Sequence, residues 1–298
     1  MNGIITIIKV FAAILVLATL GGLGYGLKKF KEDFAAPTAV TAKPVEKIIE
    51  ENDSKLIGFE LGQQEFNRAL ELIALGKLDE AREKLLFIQN LYPNSSNGPE
   101  ARRILGEINL DEILTIENMT NKKTHKVAPG EGYLRVATAN ETTLDCIMFL
   151  NGLTELGSLH AGDELLVMPL DFKLVVDLGK KRVELFHRDD EKKEHVFAKD
   201  YPIQKLDLGR VRSGVSQSKI SRKLGEINGR SYPPAHSKYR HATKVLGFTL
   251  RKSYLQFRPV PAGDAEASGQ GIFLKPSDME ELSMLIRLGN EVEVKTAG

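Results

Sequence analysis

Apolar and polar positions change their period several times along the chain, and each change marks a candidate border. The first stretch has no period at all. Val10 to Leu27 reads VFAAILVLATLGGLGYGL, apolar except for Thr19 and Tyr25, with Lys9 before it and Lys28, Lys29 and Lys31 directly behind. A spanning helix needs roughly 20 such residues. A cleaved signal peptide has a shorter apolar core and a small-residue site close behind it; here the nearest such pair, Val40 and Ala42, lies well downstream. Residues 1–30 are therefore expected to form an uncleaved transmembrane helix. Residues 31–55, which contain AAPTAVTAKPVE, lack either period and read as a linker.

From 56 to 120 the spacing turns helical. Phe66, Ala69, Leu70, Ile73 and Ala74 form one run, and Leu78, Ala81, Leu85, Ile88 and Leu91 a second beyond the Gly76-Lys77 break. Tyr92-Pro93-Asn94-Ser95 stops that run, and Pro99 opens a third with Ala101, Ile104, Leu105 and Ile108. Three helices are predicted. Residues 124–169 change pattern again, predicting a strand at 125–127, a Pro-Gly turn, helices over 133–139 and 143–150, and a strand at 164–168: β-α-α-β. Thr142 or Thr143 can cap the second helix, and Asn151-Gly152 can end it. From Phe172 the residues alternate with period two around turns at Gly179-Lys180 and Asp189-Asp190, which predicts a β-meander at the start of a mostly-β domain over 171–296. The expected fold class is multidomain α+β.

Composition adds little until charge is placed along the chain. Net charge is +1 and 42% of residues are hydrophobic, values of an ordinary globular protein that point to no anionic partner for the molecule as a whole. Between Lys205 and Arg258, however, thirteen Lys and Arg face only Asp207 and Glu226, with Tyr232, Tyr239, Tyr254 and Phe257 interleaved. Such asymmetry fits an anionic polymer or an acidic-lipid surface, a nucleic acid included, or a basic face paired with acidic parts of the same molecule. Cys146 is the single cysteine, so no internal disulfide exists; its apolar helix face suggests a buried thiol. No His/Cys cluster has metal-ligand spacing, and no cofactor is implied.

Two family resemblances give these segments chemistry. Val127, Pro129, Gly130, Glu131, Leu134, Val136 or Ala137, Thr143, Leu144, Ile147, Leu150, Asn151, Leu153, Leu159, Gly162, Leu165 and Val167 match the LysM pattern across the whole of 124–169. LysM modules bind N-acetylglucosamine polymers in a shallow groove between two loops. The resemblance places Gly130, Glu131, Gly132, Tyr133 and Leu134 on one wall of that groove and Ser158, Leu159, His160 and Ala161 on the other. Gly132 stands where the family prefers a hydroxyl residue, and Tyr133 either stacks on sugar or covers its helix.

The opening meander and the closing SGQGIFLKPSDMEELSMLIRLGNEVEV resemble the L,D-transpeptidase fold. Its catalytic residues are missing: Gly271 stands for the nucleophilic cysteine, Gly269 for the adjacent histidine and Phe273 for the arginine, and no histidine occupies Leu255–Pro259. Acyl transfer of that type needs a thiolate with a neighbouring base. A non-catalytic relative is therefore expected. ALELIALGKLDEAREKLLFIQNLYPNSSNGPEARRILGEI further resembles little more than one tetratricopeptide-type hairpin, either a spacer or a site for a protein partner.

Together these readings predict a membrane-anchored envelope protein, its body on the extracytoplasmic side, that binds peptidoglycan glycan strands. An active L,D-transpeptidase with displaced residues, and a membrane-tethered nucleic-acid binder using 205–258, are the alternatives. The cations after the apolar run favour a cytoplasmic body by the positive-inside rule, which stands against the first reading and supports the last.

Overall fold

The computed structural model describes residues 62–189, 193–208, 214–250, 253–261 and 271–296. The expected anchor, the linker and the first residues of the helical region lie outside the described residues, as does Gly269. Among the described residues no helix is long and apolar enough to cross a membrane. The described residues divide into two compact units, with the border between Ile108 and Asn109.

In the first unit, helix α1 runs through 62–74, and α2 (Leu78–Leu91) follows a break at Gly76, whose φ of 75° is left-handed. Asp79 and Glu80 lie in the first turn of α2, where the helix dipole favours acids. Phe66, Ala69, Ala81, Leu85 and Ile88 are buried at the spacing their periodicity predicts; Leu72, outside the expected run, is buried as well, whereas Ala74, Leu78 and Leu91 are exposed. The loop to α3 (Gly98–Leu114) is closed by Gln89 Nε2 donating to the Gly98 carbonyl and by Asn97 Nδ2 donating to Gln63 Oε1 at 2.7 Å. Position 98 accepts only glycine, since a Cβ there would overlap the Pro93 carbonyl oxygen.

The second unit begins within α3, so the helical segment expected over 56–120 is divided between the two units. Leu110 and Leu114 enter the second unit's core, and Asn109 Nδ2 donates to the Phe197 carbonyl at 3.1 Å. Strands β1 (Lys123–Lys126) and β2 (Glu164–Val167) pair antiparallel around helices α4 (Tyr133–Ala139) and α5 (Leu144–Leu150). Thr143, not Thr142, caps α5: its hydroxyl accepts from Cys146 N at 3.1 Å. Gly152, with φ 63°, takes the left-handed residue at the end of the helix. Asn151 instead clamps α5 to β2, exchanging side-chain bonds of 2.8 Å with both Leu166 N and Leu166 O.

The remaining strands form one sheet. They are β3 (Phe172–Asp177), β4 (Arg182–Asp189), β5 (Glu194–Pro202), β6 (Lys205–Asp207), β7 (Val215–Ile227), β8 (Arg230–Tyr232), β9 (Thr243–Leu250), β10 (Ser253–Pro259), β11 (Gly271–Leu274) and β12 (Glu291–Lys295), ordered 5-4-3-12-7-9-10-11-6 with β8 off the path on β7. The β3–β12 and β10–β11 pairs are parallel and the others antiparallel. Long β7 joins the two halves, pairing with β12 through Val215–Lys219 and with β9 beyond a bulge at Ile220/Arg222. Helix α6 (Pro276–Leu285), opened by Pro276 in its first turn, lies against β9 and β10.

The border expected between 169 and 171 runs through a common core. Cys146, Leu150, Met168 and Leu170 belong to the same buried cluster as Leu174, Val183, Phe248, Phe257, Leu282 and Val292. Polar bonds follow the same seam: Thr143 Oγ1 donates to the Met284 carbonyl at 2.6 Å, Arg240 to the Thr154 carbonyl at 3.2 Å, and Arg287 to Glu141 at 3.2 Å. The βααβ segment and the mostly-β domain thus share their interior.

Candidate functional site

The two loops named as groove walls both leave a small core of Val127, Val136, Ala137, Ile147, Leu165 and Val167. They are tied at their roots by backbone bonds of 2.9 Å, Val127 N to the Asp163 carbonyl and Gly162 N to the Val127 carbonyl. These bonds prolong the β1–β2 ladder past Lys126. Gly130 (φ 74°) and Gly162 (φ 94°) supply the left-handed residues that turn the two loops, and a Cβ at Gly130, Gly132 or Gly162 would meet nothing within 4 Å. The backbone is therefore open to an approaching ligand at these three positions.

The wall residues divide by role. Glu131 is committed to the fold: its Oε2 accepts from Ala128 N at 3.0 Å and lies 2.9 Å from His125 Nε2. Those partners hold its carboxyl below the usual range, the Ala128 bond foremost. His125 Nδ1 in turn meets Asn140 Nδ2 at 3.1 Å, and Asn140 also donates to the Val136 carbonyl. This Glu131–His125–Asn140 chain fixes the first loop. It was not legible in the sequence, because His125 and Asn140 carry no motif and meet only through the fold. Gly132 is the N-cap residue of α4. Tyr133 and Leu159 are partly buried against the small core, which favours the covering role for the tyrosine. Leu134 is 47% exposed, and Ser158, His160 and Ala161 face solvent. Asp163, absent from the expected set, pins the second loop by accepting from His160 N at 2.8 Å.

At the seam, Lys223 of β7 is buried with its Nζ on the Ser283 and Ile286 carbonyls and 3.6 Å from Asp145 of α5. Burial pulls its pKa down to about 8, against the pull of Asp145. Tyr239 donates to Asp145 Oδ2 at 3.4 Å and meets Ser283 Oγ at 3.2 Å; burial raises its pKa. The Cys146 thiol is pushed up to about 11 by burial, so it is no thiolate at neutral pH.

In the basic segment, several cations face inward. Besides Lys223, Lys244 donates to the Arg240 and Ala242 carbonyls and lies 3.3 Å from Glu280, and Arg258 pairs with Glu226. Arg210, Arg212, Arg251 and Lys252 lie outside the described residues, while Lys205, Lys219, Arg222, Arg230 and Lys238 are exposed. Arg222 lies 5.5 Å over the ring of Tyr254, whose hydroxyl end covers Gly247.

Gly271, at the position expected for a nucleophile, opens β11 beside Gln256 of β10 and is buried. A Cβ there would overlap the Gln256 carbonyl oxygen, a backbone atom that cannot swing aside. Phe273 is buried beneath Lys205, 5.8 Å from its ring centre. Among the described residues no group of three His, Cys, Asp or Glu is placed to hold a metal.

No family model matches the chain, and neither does any curated protein. Solved structures overlap it in part. A fused zinc-dependent amidase/peptidase and peptidoglycan-binding-domain protein from Clostridium acetobutylicum is 9% identical over 42% of this chain and 51% of its own, with a TM-score of 0.29. An L,D-transpeptidase from Stackebrandtia nassauensis is 15% identical over 42% and 55%, TM-score 0.27. An L,D-transpeptidase from Enterococcus faecium is 14% identical over 63% and 82%, TM-score 0.25. The chain spans about half the length of the first two. Likenesses this slight carry no inference about fold or chemistry.

Proposed function

We propose that this chain is a membrane-anchored envelope protein that binds the glycan strands of peptidoglycan through the loops at 130–134 and 158–161, and that its C-terminal domain performs no acyl transfer. The observation that carries the reading is the pair of loops: both rise from one core, are tied at Val127, and expose glycine backbone beside Leu134. A shallow groove of this kind offers N–H and C=O groups to N-acetyl groups and an apolar surface to a sugar face. Glu131 serves the binding loop as its brace rather than as a ligand. The crowding at Gly271 and the buried thiol of Cys146 support the non-catalytic reading, since neither supplies a thiolate beside a base.

The test is co-sedimentation of the full chain, in detergent, with insoluble peptidoglycan. Leu134→Glu is expected to abolish retention while the thermal transition stays unchanged, because Leu134 is already exposed. Equal retention of Leu134→Glu and the parent would remove the loops from the reading. A reporter fused after Gly298 tests the setting: an extracytoplasmic signal agrees with access to the wall, and a cytoplasmic one overturns it.

A further inference from the structure

Three strands bring a second set of polar groups together on the face of the sheet turned away from the core, remote in sequence from the glycan loops. Val292 and Ile220 point inward and are buried. Their neighbours Glu291, Glu293 and Lys219 therefore point outward, with Lys173 of β3 and Gln217 of β7 beside them. These five line an open-mouthed cavity of about 240 Å³.

The charges in it fall into two groups. Lys173 Nζ lies 2.7 Å from Glu293 Oε2, and Lys295 lies 3.3 Å from Glu293 Oε1. Glu293 is satisfied on both oxygens, and the Lys173 bond, then Lys295, holds its carboxyl below the ordinary range. Lys219 and Glu291 are different. They are directly opposite in the antiparallel β7–β12 register, where side chains of one face stand close enough to pair. Yet they close no ion pair with each other, and neither has an ion-pair partner among the described residues. One free cation and one free anion thus flank a cavity whose other charged lining residues, Lys173 and Glu293, pair with each other.

A simple anion would meet Glu291 and a simple cation would meet Lys219, so each would be attracted and repelled at once. A group carrying both signs a few ångströms apart satisfies the two together. We propose that this cavity binds an α-amino-acid head group, an ammonium and a carboxylate on one carbon, with the carboxylate on Lys219, the ammonium on Glu291 and Gln217 as a further polar contact. The site is independent of the glycan loops, and its failure would leave the proposed function standing.

The test uses the isotope-labelled full chain in detergent, with alanine, alaninamide and propionate as probes, read by amide chemical-shift changes at positions 217, 219, 291 and 293. Alanine is expected to give saturable shifts at these positions. Alaninamide, which lacks the carboxylate, and propionate, which lacks the ammonium, are expected to give none at the same concentrations. Lys219→Met and Glu291→Gln, both at exposed strand positions, should each weaken alanine binding by about threefold or more, the scale of a solvent-exposed ion pair. Equal responses to all three probes, or no response to alanine, would overturn the assignment. So would alanine shifts that survive both substitutions, since these would place the ligand elsewhere.

Discussion

Lys223 offers the sharpest check on the seam between the βααβ segment and the sheet. Its ammonium is held by two backbone carbonyls of the α6 region and by Asp145, while Lys244 repels it, and burial dominates these influences. The folded pKa of about 8 lies below the ordinary lysine value of 10.5. Between those values the unfolded chain binds the extra proton and the folded one does not. Stability should therefore rise with pH across this window, at up to about 1.4 kcal/mol per pH unit. Integrated from about pH 8 to pH 10, the gain from this one group is roughly 2 kcal/mol. Cys146, pushed up to about 11, and Tyr239, also raised, act in the opposite direction, because their unfolded forms ionise first as the solution turns alkaline. Both remain in Lys223→Met. The difference between the parent and variant profiles therefore isolates the lysine to first order. The variant also leaves the Ser283 and Ile286 carbonyls without their donor; that displaces its curve but does not tilt it. Urea unfolding at half-unit pH steps measures both curves. If the parent and Lys223→Met profiles run parallel from pH 8 to pH 10, burial at this seam does not lower the pKa of Lys223.

Three further substitutions probe particular contacts. Gly271→Cys is expected to lower stability by about 1–3 kcal/mol, the usual scale of overpacking, and to yield no transpeptidase turnover; calorimetry with a peptide cross-linking assay checks both. Gly247→Ala should be destabilising alone, because its Cβ would overlap the Tyr254 hydroxyl, and much less so in a Tyr254→Ala background; a double-mutant cycle without coupling would contradict the contact. Thr143→Ala removes both the α5 cap and the bond to the Met284 carbonyl, so a loss of about 1–2 kcal/mol is expected from denaturant midpoints.

The helices, β1, β2 and the meander were legible because their signals are local. The spacing of Ala81, Leu85 and Ile88, the Thr143 cap and the Gly130 turn each act within a few residues. The sheet order was not legible: β12 inserts between β3 and β7, where Glu293 meets Val175 on one side and Gln217 on the other, both remote in sequence, and nothing in EVEVK names its neighbours. Nor was the fate of the cations. Lys223, Lys244 and Arg258 look alike in a charge count, but the first two are buried on backbone carbonyls and the third is paired across the sheet. Of the nine residues expected at the groove, the sequence pattern did not separate Leu134, which is exposed, from Glu131, which is bound to its own loop.

The shared core changes what the glycan-binding proposal requires. A module joined by a flexible tether would present its loops in any orientation, and the domain behind it would matter only as ballast. Here α5 places Cys146 and Leu150 in the interior of the sheet domain, while its Ile147 joins the small core against which Tyr133 and Leu159 of the two loops pack. Removing residues 171–296 would therefore expose the apolar face of α5 and take away the partners of Thr143, Asp145 and Glu141. The sheet and α6 thus form the floor on which the βααβ segment folds, so a substitution in that floor reaches the two loops through the shared core.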